Sequence, residues 1–294
     1  MKKTLLTLAL ALAGAPLAAQ TAGGGISPET LGRIRAIAGP TPAATGNALA
    51  GTSINQLTAN PALATLSDTY FSNKVESKGI TDQKSSGRCW LFTGLNVLRS
   101  RMIARYGLGE FQFSQAYCFF YDQLEKANLF LQATIDHADR PMDDKTVEWL
   151  FKNPLSDGGT FCGVQDVVTK YGLVPAEAMP ERFAAENTSR MSALIAEKLR
   201  EYGLTLRKAA ADGEKADALQ RRKTEMLGTV YRMLALCLGE PPAEFEWTRK
   251  DAAGRPVDTR TYTPLSFYKE YVGADLKGNY VMLMNDPSRP YHRT

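Results

Sequence analysis

Residues 83–92 read "QKSSGRCWLF". A glutamine stands six residues ahead of a Cys-Trp pair, and an apolar, helix-like stretch opens at that cysteine. Cys89 is either a buried thiol that happens to precede a tryptophan or a nucleophile set at the mouth of a helix. The attacking species is a thiolate, and a free cysteine, with a pKa near 8.5, needs help to ionise at neutral pH. The unpaired N–H groups and macrodipole of a helix's first turn favour negative charge. A histidine partner normally supplies the rest as an ion pair.

Gln83 fits a second need of the same chemistry. Attack on an amide carbonyl creates an oxyanion. Donors aimed at that oxygen stabilise it, typically the nucleophile's own backbone N–H and a side-chain amide. The tight "KSSG" loop can bring the Gln83 carboxamide round beside Cys89. Gly87 lets the backbone turn sharply and lets substrate approach, and Trp90 walls the site while packing in the core. A Cys-Trp dipeptide alone more often marks a structural cysteine. The four residues Gln83, Gly87, Cys89 and Trp90 in one loop that opens a helix are more specific.

Working outward, Leu91, Leu95, Leu98 and Met102 recur at helical spacing, so a helix is expected from Cys89 to about Tyr106, stopped by Gly107. A second is expected over 114–136 with Ser114 as N-cap, and a third from Cys162 to Tyr171, closed by Gly172. Two more are read between about 185 and 240, the first ended by Gly203 and the second by Gly239. "EFEWTRKDAAGRPVDTRTYT" has the pattern of a β-hairpin turning at Gly254. Pro264 opens a further helix, and "NYVMLMN" reads as a strand. Residues 20–66, rich in Ala, Gly, Thr and Pro, read as a flexible leader containing one short helix, "PETLGRIRAIAG".

Composition bounds the rest. The 294 residues are 44% apolar and 22% charged, which is ordinary globular usage. The net charge of +4 includes Lys2 and Lys3; without them 33 basic residues face 31 acidic ones, scattered among each other. That balance gives no reason to expect a nucleic-acid partner or a membrane surface. Residues 1–19, two lysines followed by an apolar run and small residues, have the layout of a secretory signal peptide. Export to a periplasmic or extracellular location, in a bacterium, is therefore expected. No later stretch is apolar enough to span a bilayer. The four cysteines form no C-x-x-C pair, so no zinc or redox motif is supported. "AGGGIS" follows no strand and is no phosphate loop. No cofactor and no metal are expected. Cys118, Cys162 and Cys237 are read as small buried apolar side chains.

At the level of whole blocks, the chain resembles the bleomycin hydrolase / aminopeptidase C family of papain-like cysteine peptidases. The resemblance is carried by "TDQKSSGRCWLFTGLNVLR", "EFQFSQAYCFFYDQLEKANLFL", "DGGTFCGVQDVVTKYGLVPAEAMPE", "TPLSFYKEYV" and "NDPSRPY", in that order from about Leu66 onward. A cysteine followed by tryptophan, with a glycine two before it, is itself a papain-type signature. The resemblance implies an α+β papain-like fold whose helical, nucleophile-bearing half carries the 185–240 stretch as a helical insertion. It implies Cys89 as nucleophile and Gln83 as oxyanion-hole glutamine. Gly158 and Gly159 match paired glycines that hold substrate backbone in the cleft, where an extended peptide pairs with main chain at close range. Peptide substrates, an aminopeptidase activity through an acyl-enzyme and a homo-hexameric assembly follow as family properties. Ser86 departs from the pattern, since many papain-like enzymes have a disulfide-forming cysteine there.

The larger departure is the base. Only His137 and His292 occur. His137 lies in a polar, acidic, turn-like stretch and reads as a solvated surface histidine. His292 is the third residue from the end, with no asparagine after it. In the resembled family the catalytic His and Asn lie far downstream of the nucleophile. The chain is therefore read as the nucleophile half, with the β-rich half that carries His and Asn largely missing and with little or no peptidase activity. The competing expectation is a non-catalytic pseudoenzyme or peptide-binding remnant.

Overall fold

The structure is a computed structural model that describes residues 25–64, 70–75, 77–273, 275–279, 281 and 288. The N-terminal segment 1–19, nearly all of the strand read over 279–285 and His292 lie outside the described residues. The chain divides into two compact units, residues 1–72 and 73–294.

The first unit holds α1 (Pro28–Ala38), α2 (Ala43–Gly51), α3 (Ile54–Thr58) and α4 (Pro61–Ala64). The leader read as flexible is thus helical over most of its described length. Alanine-rich sequence favours helix locally, and Ser27 and Ser53 cap α1 and α3 with their hydroxyls. Helices α1 to α3 bury no residue, which fits the scarcity of large apolar side chains there.

The second unit begins its regular structure with α5 (Cys89–Tyr106), followed by α6 (Gln115–Asp136), α7 (Lys145–Lys152), α8 (Phe161–Tyr171) and α9 (Phe183–Glu186). The long helices α10 (Ser189–Ala211) and α11 (Ala216–Leu238) precede the strands β1 (Phe245–Lys250) and β2 (Pro256–Tyr262). Helices α12 (Pro264–Tyr271) and α13 (Leu276–Asn279) complete the described elements. Helix α5 ends where the sequence expects, on Gly107 in the left-handed conformation at φ 59°. Its face of Leu91, Leu95, Leu98 and Met102 is at most 1% exposed and packs against α6 and α8. Ser114 caps α6 by accepting the Tyr117 N–H at 3.0 Å.

One boundary differs. Gly203 does not end a helix; α10 runs through it to Ala211. A Cβ at Gly203 would stand 2.9 Å from Phe151 Cζ and 3.0 Å from Phe130 Cζ. The glycine is there because α6 and α7 press aromatic rings onto the helix, and a sequence pattern cannot tell close approach from a stop. Helix α7, unread in the sequence, starts at an Asp144 cap that accepts the N–H groups of Thr146 and Val147.

The hairpin pairs Phe245 with Tyr262 and Trp247 with Arg260, antiparallel. Phe245 and Trp247 face inward and Glu246 outward, placing both rings against Phe267 of α12 at 5.4 and 5.1 Å between centroids. Thr263 and Ser266 form a reciprocal capping box at the start of α12. All four cysteines are free: Cys118 is buried and Cys237 half-buried, but Cys162 is exposed, contrary to its reading as a buried side chain. It occupies the outer face of α8, while Val164, Val167 and Val168 take the inner one.

Candidate active site

Cys89 is the first residue of α5, and its thiol is exposed. The main-chain carbonyl of Arg88 accepts the N–H groups of Leu91 and Phe92, both at 3.0 Å. No acceptor among the described residues takes the Cys89 N–H, so a backbone donor and the thiol are presented together at a helix mouth. No acidic residue stands in the first turn of α5 to oppose negative charge.

The loop before it is fastened from within. Gln83 Nε2 donates to the Ser86 carbonyl at 2.5 Å, and the Ser86 hydroxyl donates to the Gln83 carbonyl at 2.6 Å. Lys84 turns the chain with a left-handed φ of 53°. A carboxamide carries two N–H bonds; Ser86 takes one and leaves the other uncommitted. Gln83 and Cys89 line a single open groove of about 410 Å³ with Asp82, Phe92 and Asn96. The sequence-predicted oxyanion donor and nucleophile are therefore on one surface.

The chain buries Arg88 completely just before the nucleophile. Its guanidinium reaches Glu181 through two bonds of 3.1 and 2.7 Å and donates to Ser86 Oγ at 3.0 Å. It lies between the rings of Phe92 and Phe119, at 5.1 and 5.4 Å. Arg88 gives no side-chain cap to α5, since a guanidinium has no acceptor for a backbone N–H.

Gly158 and Gly159 are both exposed, and Gly159 lies against the Trp90 indole. Trp90 is buried, and its indole N–H donates to the Asp157 carbonyl at 2.8 Å. A Cβ at Gly159 would lie 2.6 Å from Trp90 Cε2, so only glycine lets this loop lie flat on the indole. Gly158 is committed within the chain: its N–H reaches Ser156 Oγ at 3.1 Å and its carbonyl accepts Lys126 Nζ at 2.7 Å. Gly159 has main-chain groups that no described residue engages. Lys126 also bonds the Ser156 carbonyl at 2.8 Å and the Asp122 carboxylate at 2.7 Å. Burial pushes the Asp122 carboxyl above the usual carboxylate range, opposed by Lys126.

Several of these residues escaped the sequence reading. Asp157, Lys126 and the Arg88–Glu181 pair act across 30 to 93 positions of sequence, a distance no local pattern spans. The only available signal was proximity: Arg88 stands between the paired landmarks Gly87 and Cys89, and Asp157 directly precedes the two glycines.

His137 is the C-cap of α6 and half-buried, which corrects its reading as a solvated side chain. Its carbonyl accepts Arg207 of α10 at 2.9 Å, and its Nδ1 is buried without a partner. No histidine among the described residues lines the groove at Cys89. Among the described residues no cluster could hold a metal ion, and no helix is long and apolar enough to cross a membrane.

A model of the Peptidase C1-like family matches residues 35–294. The chain belongs to that family. It is similar to aminopeptidase C of Lactobacillus delbrueckii subsp. lactis, with 37% identity over 228 residues that make up 77% of this chain and 51% of that one. It is 38% identical over 221 residues to bleomycin hydrolase of Homo sapiens, covering 74% of this chain and 48% of that one. Among solved structures it is similar to PepW of Lactobacillus rhamnosis HN001, with a TM-score of 0.81 and 33% identity, over 86% of this chain and 57% of the other. The fold class is the papain-like α+β arrangement read from the sequence, here mostly helical. The chain spans about half the length of the curated relatives it matches. Cys89, exposed at the first position of α5, lies within the region that this family model matches.

Proposed function

We propose that this chain carries the nucleophile side of a thiol-dependent aminopeptidase that cleaves peptide bonds through an acyl-enzyme on Cys89. The observation that carries this reading is that the exposed Cys89, whose main-chain N–H no described residue engages, and Gln83 line one groove. In the first step the Cys89 sulfur bonds the scissile carbonyl carbon. The C–N bond then breaks, and the amine leaves with the proton that the Cys89 thiol gave up. Water hydrolyses the thioester and returns the thiol. Cys89 N–H and the free Gln83 N–H stabilise the oxyanion of each step, and Gly159 offers main-chain groups to an extended peptide. The names of the relatives, aminopeptidase C and bleomycin hydrolase, support the substrate class. Export directed by residues 1–19 belongs to the same proposal.

A second reading is a peptide-binding module without chemistry. It is favoured by the groove lining, which among the described residues contains no histidine. A peptidyl epoxide and a fluorogenic aminoacyl amide separate the two. Hydrolysis and covalent labelling that both vanish in Cys89→Ala support the peptidase. Peptide binding that survives Cys89→Ala, with no hydrolysis by the unsubstituted chain, supports the module.

A further inference from the structure

We propose that Asp157 is a positioning residue through which the helical insertion sets the distance between the nucleophile loop and the glycine loop. The inference rests on the hydrolytic reading of Cys89. Each of the three acceptor atoms of Asp157 is engaged. Its Oδ2 takes the Gly87 N–H at 3.3 Å and the Thr188 hydroxyl; its Oδ1 takes the Ser192 hydroxyl at 2.9 Å. Its carbonyl takes the Trp90 indole N–H at 2.8 Å. One residue thus bonds the loop two positions before Cys89, the residue just after Cys89, and the first turn of α10.

The contact is close as well as polar. A Cβ at Gly87 would lie 2.7 Å from Asp157 Cβ, so the glycine allows the two loops to meet. The insertion touches the nucleophile loop a second time, where the Thr188 N–H meets the Ser85 carbonyl at 3.4 Å and Ser85 and Asn187 form a parallel bridge. Thr188 is the N-cap of α10, yet its hydroxyl bonds Asp157 instead of its own helix. The carboxylate therefore sits at a helix N-terminus, where anions are favoured, and is held by three donors that converge from two elements. Removing it frees the Gly87 peptide plane from the glycine loop and from α10, and leaves only the Trp90 bond to the Asp157 main-chain carbonyl across the seam. The Cys89 N–H and the Gly159 main chain are then less firmly placed relative to one another. Displacements near 1 Å suffice to cost catalysis heavily.

The test compares two reagents on the full chain. Iodoacetamide, read at Cys89 by mass spectrometry because Cys162 is also exposed, reports only on the reactivity and exposure of that thiol. A peptidyl epoxide also needs the spacing of thiol, oxyanion donors and glycine loop. Asp157→Ala is expected to slow epoxide labelling by about tenfold or more while iodoacetamide alkylation stays within about twofold. Asp157→Asn is expected to recover most of the loss, because its amide oxygen can accept from Gly87 and Thr188 while its NH₂ donates to the Ser192 hydroxyl. Thr188→Val with Ser192→Ala, which leave Asp157 in place, are expected to slow epoxide labelling in the same selective way and to add little to Asp157→Ala. They also read the link should Asp157→Ala fail to fold. If the unsubstituted chain labels no faster with the peptidyl epoxide than with the same epoxide lacking the peptide, the hydrolytic reading falls and this inference with it. Peptide-dependent labelling in the unsubstituted chain, unchanged in the Thr188/Ser192 pair, overturns this inference alone.

Discussion

Arg88 and Glu181 form a two-point ion pair, 3.1 and 2.7 Å, directly behind the proposed nucleophile. Arg88 has no exposed side-chain surface, while Glu181 retains 27%. Such a pair fixes the loop that precedes Cys89, since the same guanidinium also holds Ser86, and Ser86 holds Gln83.

Breaking the pair from one side leaves a charge without its partner. Arg88→Met is expected to lower unfolding free energy by about 3 kcal/mol. Arg88→Lys is expected to recover little, because an ammonium cannot reproduce the planar two-point fork. Urea denaturation checks both, and a midpoint for Arg88→Met equal to the unsubstituted protein would refute the anchoring role.

Gln83→Ala removes the side-chain oxyanion donor and leaves the thiol in place. The expected loss is about 10²-fold to 10³-fold in kcat with little change in KM. Steady-state hydrolysis of an aminoacyl amide tests it; a loss confined to KM would move Gln83 out of the oxyanion hole.

Two glycines inside long helices should respond with opposite signs. At Gly203 a methyl group meets Phe151 and Phe130 at 2.9 and 3.0 Å, so Gly203→Ala is expected to destabilise by about 1–3 kcal/mol despite its better helix propensity. At Gly228 nothing lies within 4 Å, so Gly228→Ala is expected to stabilise by about 0.5–1 kcal/mol. Thermal melts of the two single variants decide the matter.

Asp122 gives a pH signature. Burial raises its carboxyl above the usual carboxylate range, so the folded state binds the proton more tightly than the unfolded chain. Its contribution to stability is therefore most favourable below that range and falls as pH rises through the folded pKa. The stability difference between the unsubstituted protein and Asp122→Asn is expected to move in favour of the former as pH drops through this window. Chemical denaturation from neutral to acid pH tests the sign, and a flat difference would remove Asp122 as its source.

By itself, the sequence determined what depends on neighbours a few residues apart. The start of α5 at Cys89, its apolar face, the Ser114 cap, the opening of α12 at Pro264, the Gly107 and Gly172 stops and the hairpin all follow from local backbone preference and side-chain period. The residue types for thiol chemistry were legible for the same reason, since Gln83 and Cys89 share one short loop. Tertiary structure alone decided the rest. Gly203 as a packing site, Asp157 as a joint, Lys126 beneath the glycine loop and Glu181 behind Arg88 are contacts between elements distant along the chain. Their energies arise from burial and geometry that exist only once α6, α8 and α10 have come together, and no periodicity along the chain records them.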